Sequence, residues 1–409
     1  MKKKVLHTVF YASLIACMGI WSSCEKDEPI PTVDLNAKIE LTGTAEGSTV
    51  DELTIKIKSN NTGATKELTP QANGETSVTL EEGNYNFEVT GKITYSYKDY
   101  EGNAQTKTEL IAGLLENVSV SSSMESKTIT IKAFISTANG GWVIKEIYST
   151  GTKTSVGNKN YTNVQFVEIY NNSSEKMYAD GLTIGETGIP SSQNSNFYAD
   201  DLAEYTFVFT FYSVPGNGTT YPVDPGKSIL IAPYPINHPA TFTPADNKLL
   251  DLSMADFQWY DEHSLALQVP EVPDLIRHYS YSNTIWLMAV QTNRGFILFK
   301  TDDIADYVKN NVDTRKNNAG KDFTTIRLKN TNVLDAVDMG QPDKIKVKTI
   351  SSSLDLGFTY CSASFSGKSM RRKVSHVEPD GRVVYQDTNN STVDFIPDAE
   401  PQPKQFKVN

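Results

Sequence analysis

The chain has 409 residues, with 49 acidic against 38 basic side chains and a formal net charge of −11. Such a surface repels phosphate backbones, and Arg371-Arg372-Lys373 is a single short basic run, which excludes nucleic-acid binding. Only Cys17, Cys24 and Cys361 occur, so neither a disulfide framework nor a cysteine metal site can be built once the first two are assigned to the leader and its lipid.

Lys2, Lys3 and Lys4 precede an apolar run from Val5 to Trp21, and Ser22-Ser23 leads into Cys24. This is the pattern of a signal peptide over residues 1–23. Ser13 and Gly19 interrupt a run already at the lower edge of what spans a bilayer. Ser22-Ser23-Cys24 resembles the end of a bacterial lipobox, with Trp21 where an aliphatic residue is usual. The resemblance implies lipidation at Cys24 and stable attachment, since several acyl chains bury far more methylene than one. The acidic stretch Glu25-Lys26-Asp27-Glu28 resembles the export signal of Bacteroidetes surface lipoproteins. The expected address is therefore the outer membrane, lipid-anchored and exposed at the cell surface.

Residues 24–34 form an acidic tether stiffened by Pro29 and Pro31. About ten extended residues reach roughly 35 Å, which keeps the first domain close to the membrane. From 35 to 136 apolar residues alternate with polar ones, as in Ala37-Ile39-Leu41, Leu53-Ile55-Ile57, Val78-Leu80, Tyr85-Phe87-Val89 and Ile129-Ile131-Ala133. A period of two marks half-buried strands, here enough for a small β-sandwich. Leu110 to Leu115 reads equally as a strand or a turn of helix. The turn Glu81-Glu82-Gly83-Asn84-Tyr85 resembles that of carboxypeptidase-regulatory and prealbumin-like modules. Ser136 to Gly141, rich in Ser, Thr, Asn and Gly, marks a boundary.

Two short strands open the next segment, Trp142 to Tyr148 and Phe166 to Tyr170. Strict alternation puts Glu146 on the side of Ile144 and Tyr148, and Glu168 on that of Phe166 and Tyr170. A carboxylate on an apolar face is costly unless bonded. The pair reads either as an acid/base or cation-binding couple or as two glutamates taking bonds from backbone and hydroxyls. Val143 to Tyr148, Phe166 to Asn172 and Asp180 to Ile184, with the Pro225-Gly226 turn before Ser228 to Ala232, resemble a lamin-tail domain. Ser369-Met370-Arg371-Arg372 and Asp387 to Phe395 are similar to that family's closing elements, so the domain is expected over 142–403 with large insertions, leaving a tail at 404–409. The whole arrangement resembles the Bacteroidetes lipoprotein family of unknown function 4876 (DUF4876). That resemblance implies an all-β chain of two sandwich (Ig-like) domains and supplies no activity.

Within the second domain, Tyr205, Phe207, Phe209 and Phe211 alternate along a strand read as packed core. Prolines at 233, 235, 239 and 244 predict an ordered surface loop. Asp256, Trp259, Tyr260, Asp261 and His263 mix aromatic rings with polar groups and read as ligand-binding residues or as a one-turn helix capping the sandwich. Asp302 to Asn310 predicts a short helix with an acidic first turn.

No nucleophile elbow, His-Glu-x-x-His pair or phosphate loop occurs, and the four histidines outside the leader, His238, His263, His278 and His376, are too far apart in sequence for a local zinc site. Neither a catalytic residue nor a cofactor or metal is expected. The expectation is a non-catalytic surface lipoprotein that binds a ligand or partner, with a TonB-dependent transporter or a surface glycan as the candidates by analogy. The alternatives are a surface hydrolase using Glu146 and Glu168, and a purely adhesive stalk.

Overall fold

The computed structural model of the chain describes residues 30–42, 48–98, 104–136, 141–259, 268–281, 286–378 and 380–406. Strands dominate throughout, and the protein is all-β. Among the described residues no helix is long and apolar enough to cross a membrane.

The first unit follows from its alternation. Thr32–Thr42, Thr49–Ser59, Thr65–Leu68, Glu75–Glu81, Gly83–Lys98, Ala104–Val120 and Thr128–Ser136 pair in the spatial order third, second, fifth, sixth, seventh, first, fourth. Every contact is antiparallel except that of the first strand with the seventh. Val33, Leu35, Ala37, Ile55, Ile57, Phe87, Val89, Ile129 and Ile131 point inward to one core. Leu110 to Leu115 lies inside the sixth strand. There Gly113 lets two strands approach, because a Cβ would stand 2.6 Å from the Lys132 carbonyl oxygen.

The second unit is built outward from Trp142–Tyr148. On one side that strand pairs with Ser369–Arg372, which in turn pairs with Phe395–Ala399. On the other it pairs with Phe166–Asn171, followed by Ser228–Ala232, Phe257–Trp259 and Asp274–Ser280. The path continues through Tyr205–Ser213, Thr183–Thr187, Phe296–Phe299 and Val333–Val337. It curls back on itself, so that the Ile144 N–H donates to Asp335 at 2.6 Å. Ile144, Ile147, Val167 and Ile169 from the first strands thus meet Ile184, Tyr212, Phe296, Leu298 and Val337 in one core.

Three expectations are corrected. Glu168 sits opposite Glu146 but Ile169 opposite Ile144, so Lys145 is the extra residue of a β-bulge. Glu146 is thereby turned off the face that carries Ile144. Residues 257–259 form a strand rather than a one-turn helix, because both faces are covered and parallel partners lie on either side. The proline-rich loop is not wholly superficial: His238 is fully buried, its Nδ1 2.9 Å from the Tyr161 hydroxyl and its Nε2 3.1 Å from the Tyr234 carbonyl. Burial lowers its pKa to about 4, with the Tyr234 carbonyl acting in the opposite sense. The helix over Ile304–Asn310 forms as expected, with the Asp303 carboxylate accepting the Asp306 N–H at 3.0 Å.

One buried side chain ties the curled sheet together. Arg372 donates from Nε to the Ile144 carbonyl at 2.9 Å, and from NH1 to the Gln386 carbonyl at 3.0 Å and Asp387 at 3.1 Å. Its NH2 meets Asp335 at 2.5 Å, Asp394 stands 3.8 Å away, and the guanidinium lies over the Phe395 ring. Burial works against its charge, but Asp335, Asp387 and Asp394 raise its pKa overall. Truncating one partner of a buried ion pair costs about 3–5 kcal/mol, because the other charge is left unpaired. Arg372→Met is expected to destabilise the second unit by that amount in urea unfolding followed by tryptophan fluorescence, since Trp142, Trp259 and Trp286 all lie in its core. A loss below about 1 kcal/mol, the size of a surface pair, contradicts this role.

Candidate functional site

Glu146 and Glu168, the carboxylates nominated from sequence, do come together, but under cover. Both are 0% exposed. Glu146 accepts the Ser369 hydroxyl and the Gln402 N–H, the latter at 3.1 and 3.2 Å from its two oxygens. Glu168 accepts the Ser228 hydroxyl, the Lys404 N–H at 3.1 Å and the Lys145 ammonium at 2.6 Å. The same ammonium donates to the Gln402 carbonyl and lies over Phe406. Residues 402–406 therefore seal the cluster, and in this arrangement neither carboxylate can meet a substrate. Burial raises the Glu146 pKa to about 7, opposed by Ser369 and Lys145 and reinforced by Glu168.

The window nominated for ligand binding divides. Trp259 is 1% exposed, its ring 5.0 Å from that of Trp286 in the core, so it presents no face to a ligand. Asp256 accepts the Leu230 N–H at 2.7 Å and pairs with Lys404 at 2.6 Å, which makes it a clasp for the C-terminal segment. Tyr260, Asp261 and His263 lie outside the described residues, as does Cys24. No group of three or more His, Cys, Asp or Glu among the described residues is arranged to hold a metal.

Two concave features stand out among the described residues. A groove of about 520 Å³ on the first unit is lined by strand residues whose charged groups are largely engaged, with Asp34 accepting from Thr79 and Lys127 donating to two carbonyls. The second, of about 200 Å³, lies on the second unit. One wall is the turn after Thr183–Thr187, with Gly188, Ile189 and Pro190, continuing to Gln193 and Phe197; the opposite wall is the hairpin Asn317-Asn318-Ala319 with Phe323. Arg294 forms its charged side. From NH1 it donates to the Thr187 carbonyl at 3.1 Å and to that of Gly188, and its guanidinium lies 4.3 Å above the Phe209 ring centroid. Tyr281, 66% exposed, tilts against Phe209 and Phe323 nearby.

Sequence reasoning missed this cleft. Its one legible trace is the aromatic alternation of Tyr205–Ser213, read as core throughout, whose Phe209 is the platform under Arg294.

The Glu146 environment carries a pH signature. Its carboxyl holds its proton up to about pH 7 when folded and loses it from about pH 4.5 when unfolded. The folded state therefore binds more protons in that window, and the stability contributed at its acid end is lost as pH rises through 7. Glu146→Gln is expected to remove this slope, so the difference in urea midpoint between wild type and variant changes from pH 5 to pH 8 in the variant's favour. A pH-independent difference contradicts it.

Residues 224–402 match the family described as a protein of unknown function, DUF4876. No curated protein matches the chain. Among solved structures, a DUF4876 family protein from Bacteroides thetaiotaomicron is 22% identical, with 92% of this chain and 98% of that one covered at a TM-score of 0.59. A Bacteroides ovatus protein provisionally described as an adhesin covers 77% of this chain and 91% of its own, but at 9% identity and a TM-score of 0.21 it carries no argument. Residues 224–402 thus match the DUF4876 family model, and the chain shares the fold of a solved DUF4876 family protein.

Proposed function

We propose that this chain is a non-catalytic, lipid-anchored protein of the outer-membrane surface that binds a ligand through the cleft beside Arg294. The observation that carries this reading is the contrast between two charged sites. Glu146, Glu168 and Lys145 are sealed and mutually satisfied, whereas Arg294 stands at an open concavity with aromatic and amide side chains around it. A small concave site with apolar walls and a few convergent polar groups is the usual form of a binding pocket. The leader, the Cys24 lipobox and the short acidic tether support the surface address. A surface glycan suits the lining best, and a TonB-dependent transporter is the protein partner such a lipoprotein would serve.

Expression in a Bacteroidetes host with an acyl-chain label tests the anchor. Wild type is expected to take up label, to fractionate with the outer membrane and to be cleaved by protease added to intact cells. Cys24→Ala is expected to lose the label and the membrane association. Full labelling of C24A, or protection of wild type on intact cells, overturns the address. Purification in mild detergent then tests the partner, for which co-purification of a transporter or glycan is expected and recovery of the protein alone counts against it.

A further inference from the structure

We propose that the Arg294 cleft is a site for a carboxylate-bearing sugar, in which the guanidinium takes the carboxylate and the ring lies against Phe197 and Phe323. The inference rests on the binding reading above and gives that site its ligand class.

The first argument is charge. Several partly or fully buried cations in this unit meet a carboxylate: Lys145 has Glu168, Lys348 has Asp338, Arg372 has Asp335 and Asp387, and Arg315 has Asp201 and Asp313. Arg371, Arg327 and Lys373 have no described carboxylate partner, but none of them lines the cleft. Arg294 has no described carboxylate within ion-pairing distance. Glu186, the acid that acts on it, is occupied by the Trp286 indole N–H at 2.9 Å and the Ala289 N–H at 3.0 Å, and burial raises its pKa. Burying a charge costs free energy unless it is paired, so an arriving anion gains what the fold leaves unspent.

The second argument is geometry. Bonds from NH1 to two carbonyls and the Phe209 ring below hold the guanidinium in place, while Nε and NH2 have no described partner. A fixed planar fork with one free edge matches a carboxylate in two parallel hydrogen bonds.

The third is size and lining. At about 200 Å³ the cleft is below the roughly 300–1,000 Å³ of sites that enclose a drug-sized molecule, so it takes a single ring or end group rather than a chain. Phe197 and Phe323 meet edge to face at 5.8 Å and offer apolar surface to the C–H face of a ring. The exposed Gln193 amide supplies both a donor and an acceptor for hydroxyls.

Titration of the purified protein with D-galacturonate, D-galactose and acetate, followed by saturation-transfer NMR, tests the proposal. Galacturonate is expected to bind at least tenfold more tightly than either galactose or acetate. Arg294→Lys, which keeps the charge and loses the fork, is expected to abolish that preference. Gln193→Ala, at an exposed position, is expected to weaken galacturonate several-fold with an unchanged thermal midpoint, and it decides the matter should R294K fail to fold. Equal binding of acetate and galacturonate reduces the site to a bare anion site and overturns the sugar. No binding of galacturonate, or full binding by Q193A, overturns the site itself. Either failure leaves the anchor and co-purification results standing, so the broader binding reading is judged separately.

Discussion

The second unit depends on the buried guanidinium of Arg372. It is the point where the strand Trp142–Tyr148, the strand Val333–Val337 and the closing segment after Gln386 converge, each contributing a carbonyl or a carboxylate. Without its charge, the buried Asp335 would lose its ion-pair partner, a change that costs several kcal/mol. The same closing segment is fastened a second time at Asp355, which accepts the Ser391 N–H at 2.8 Å and the Asp338 N–H at 2.6 Å while Lys348 bridges to Asp338. A third fastening lies at Glu146 and Glu168, where backbone N–H groups of Gln402 and Lys404 enter the cluster. Ser391, Gln402 and Lys404 are thereby bonded into the interior of the unit, and buried carboxylates are the means.

Legibility in the sequence tracks one physical rule. Where strands pair regularly and one face is wet, the period of two is visible, as in Val33, Leu35 and Ala37 or in Ile129, Ile131 and Ala133. Helix 304–310 was legible because its cap, Asp303, is adjacent in sequence. The misreadings arose where position depends on distant partners. Lys145 looks like any alternating residue until Phe166–Asn171 pairs against it with one residue fewer. Trp259 sits among acids and aromatics like a ligand-binding residue, yet its surroundings are set by parallel strands from 228–232 and 274–280, which close both faces over it. The Arg294 cleft is assembled from residues 188–197, 294 and 317–323, and no one of these stretches carries a signature of the whole.

The two sets of charges assign different work to residues that look alike in one dimension. Carboxylates with full sets of donors hold the fold, and adding a ligand to them would mean removing bonds that already exist. Arg294 is held in place without being neutralised, so a ligand there adds bonds without breaking any. In the proposed reading, stability and recognition are thereby separated: the closing segment is held by its ion pairs while the cleft, on another part of the same unit, stays open.

The most direct test of that separation is a crystal structure of the protein grown with D-galacturonate. The account predicts the sugar in the cleft, its carboxylate on the free edge of Arg294 and its ring against Phe197 and Phe323, with residues 402–406 still closed over Glu146 and Glu168. Sugar bound beside Glu146, with the C-terminal segment displaced, would contradict it.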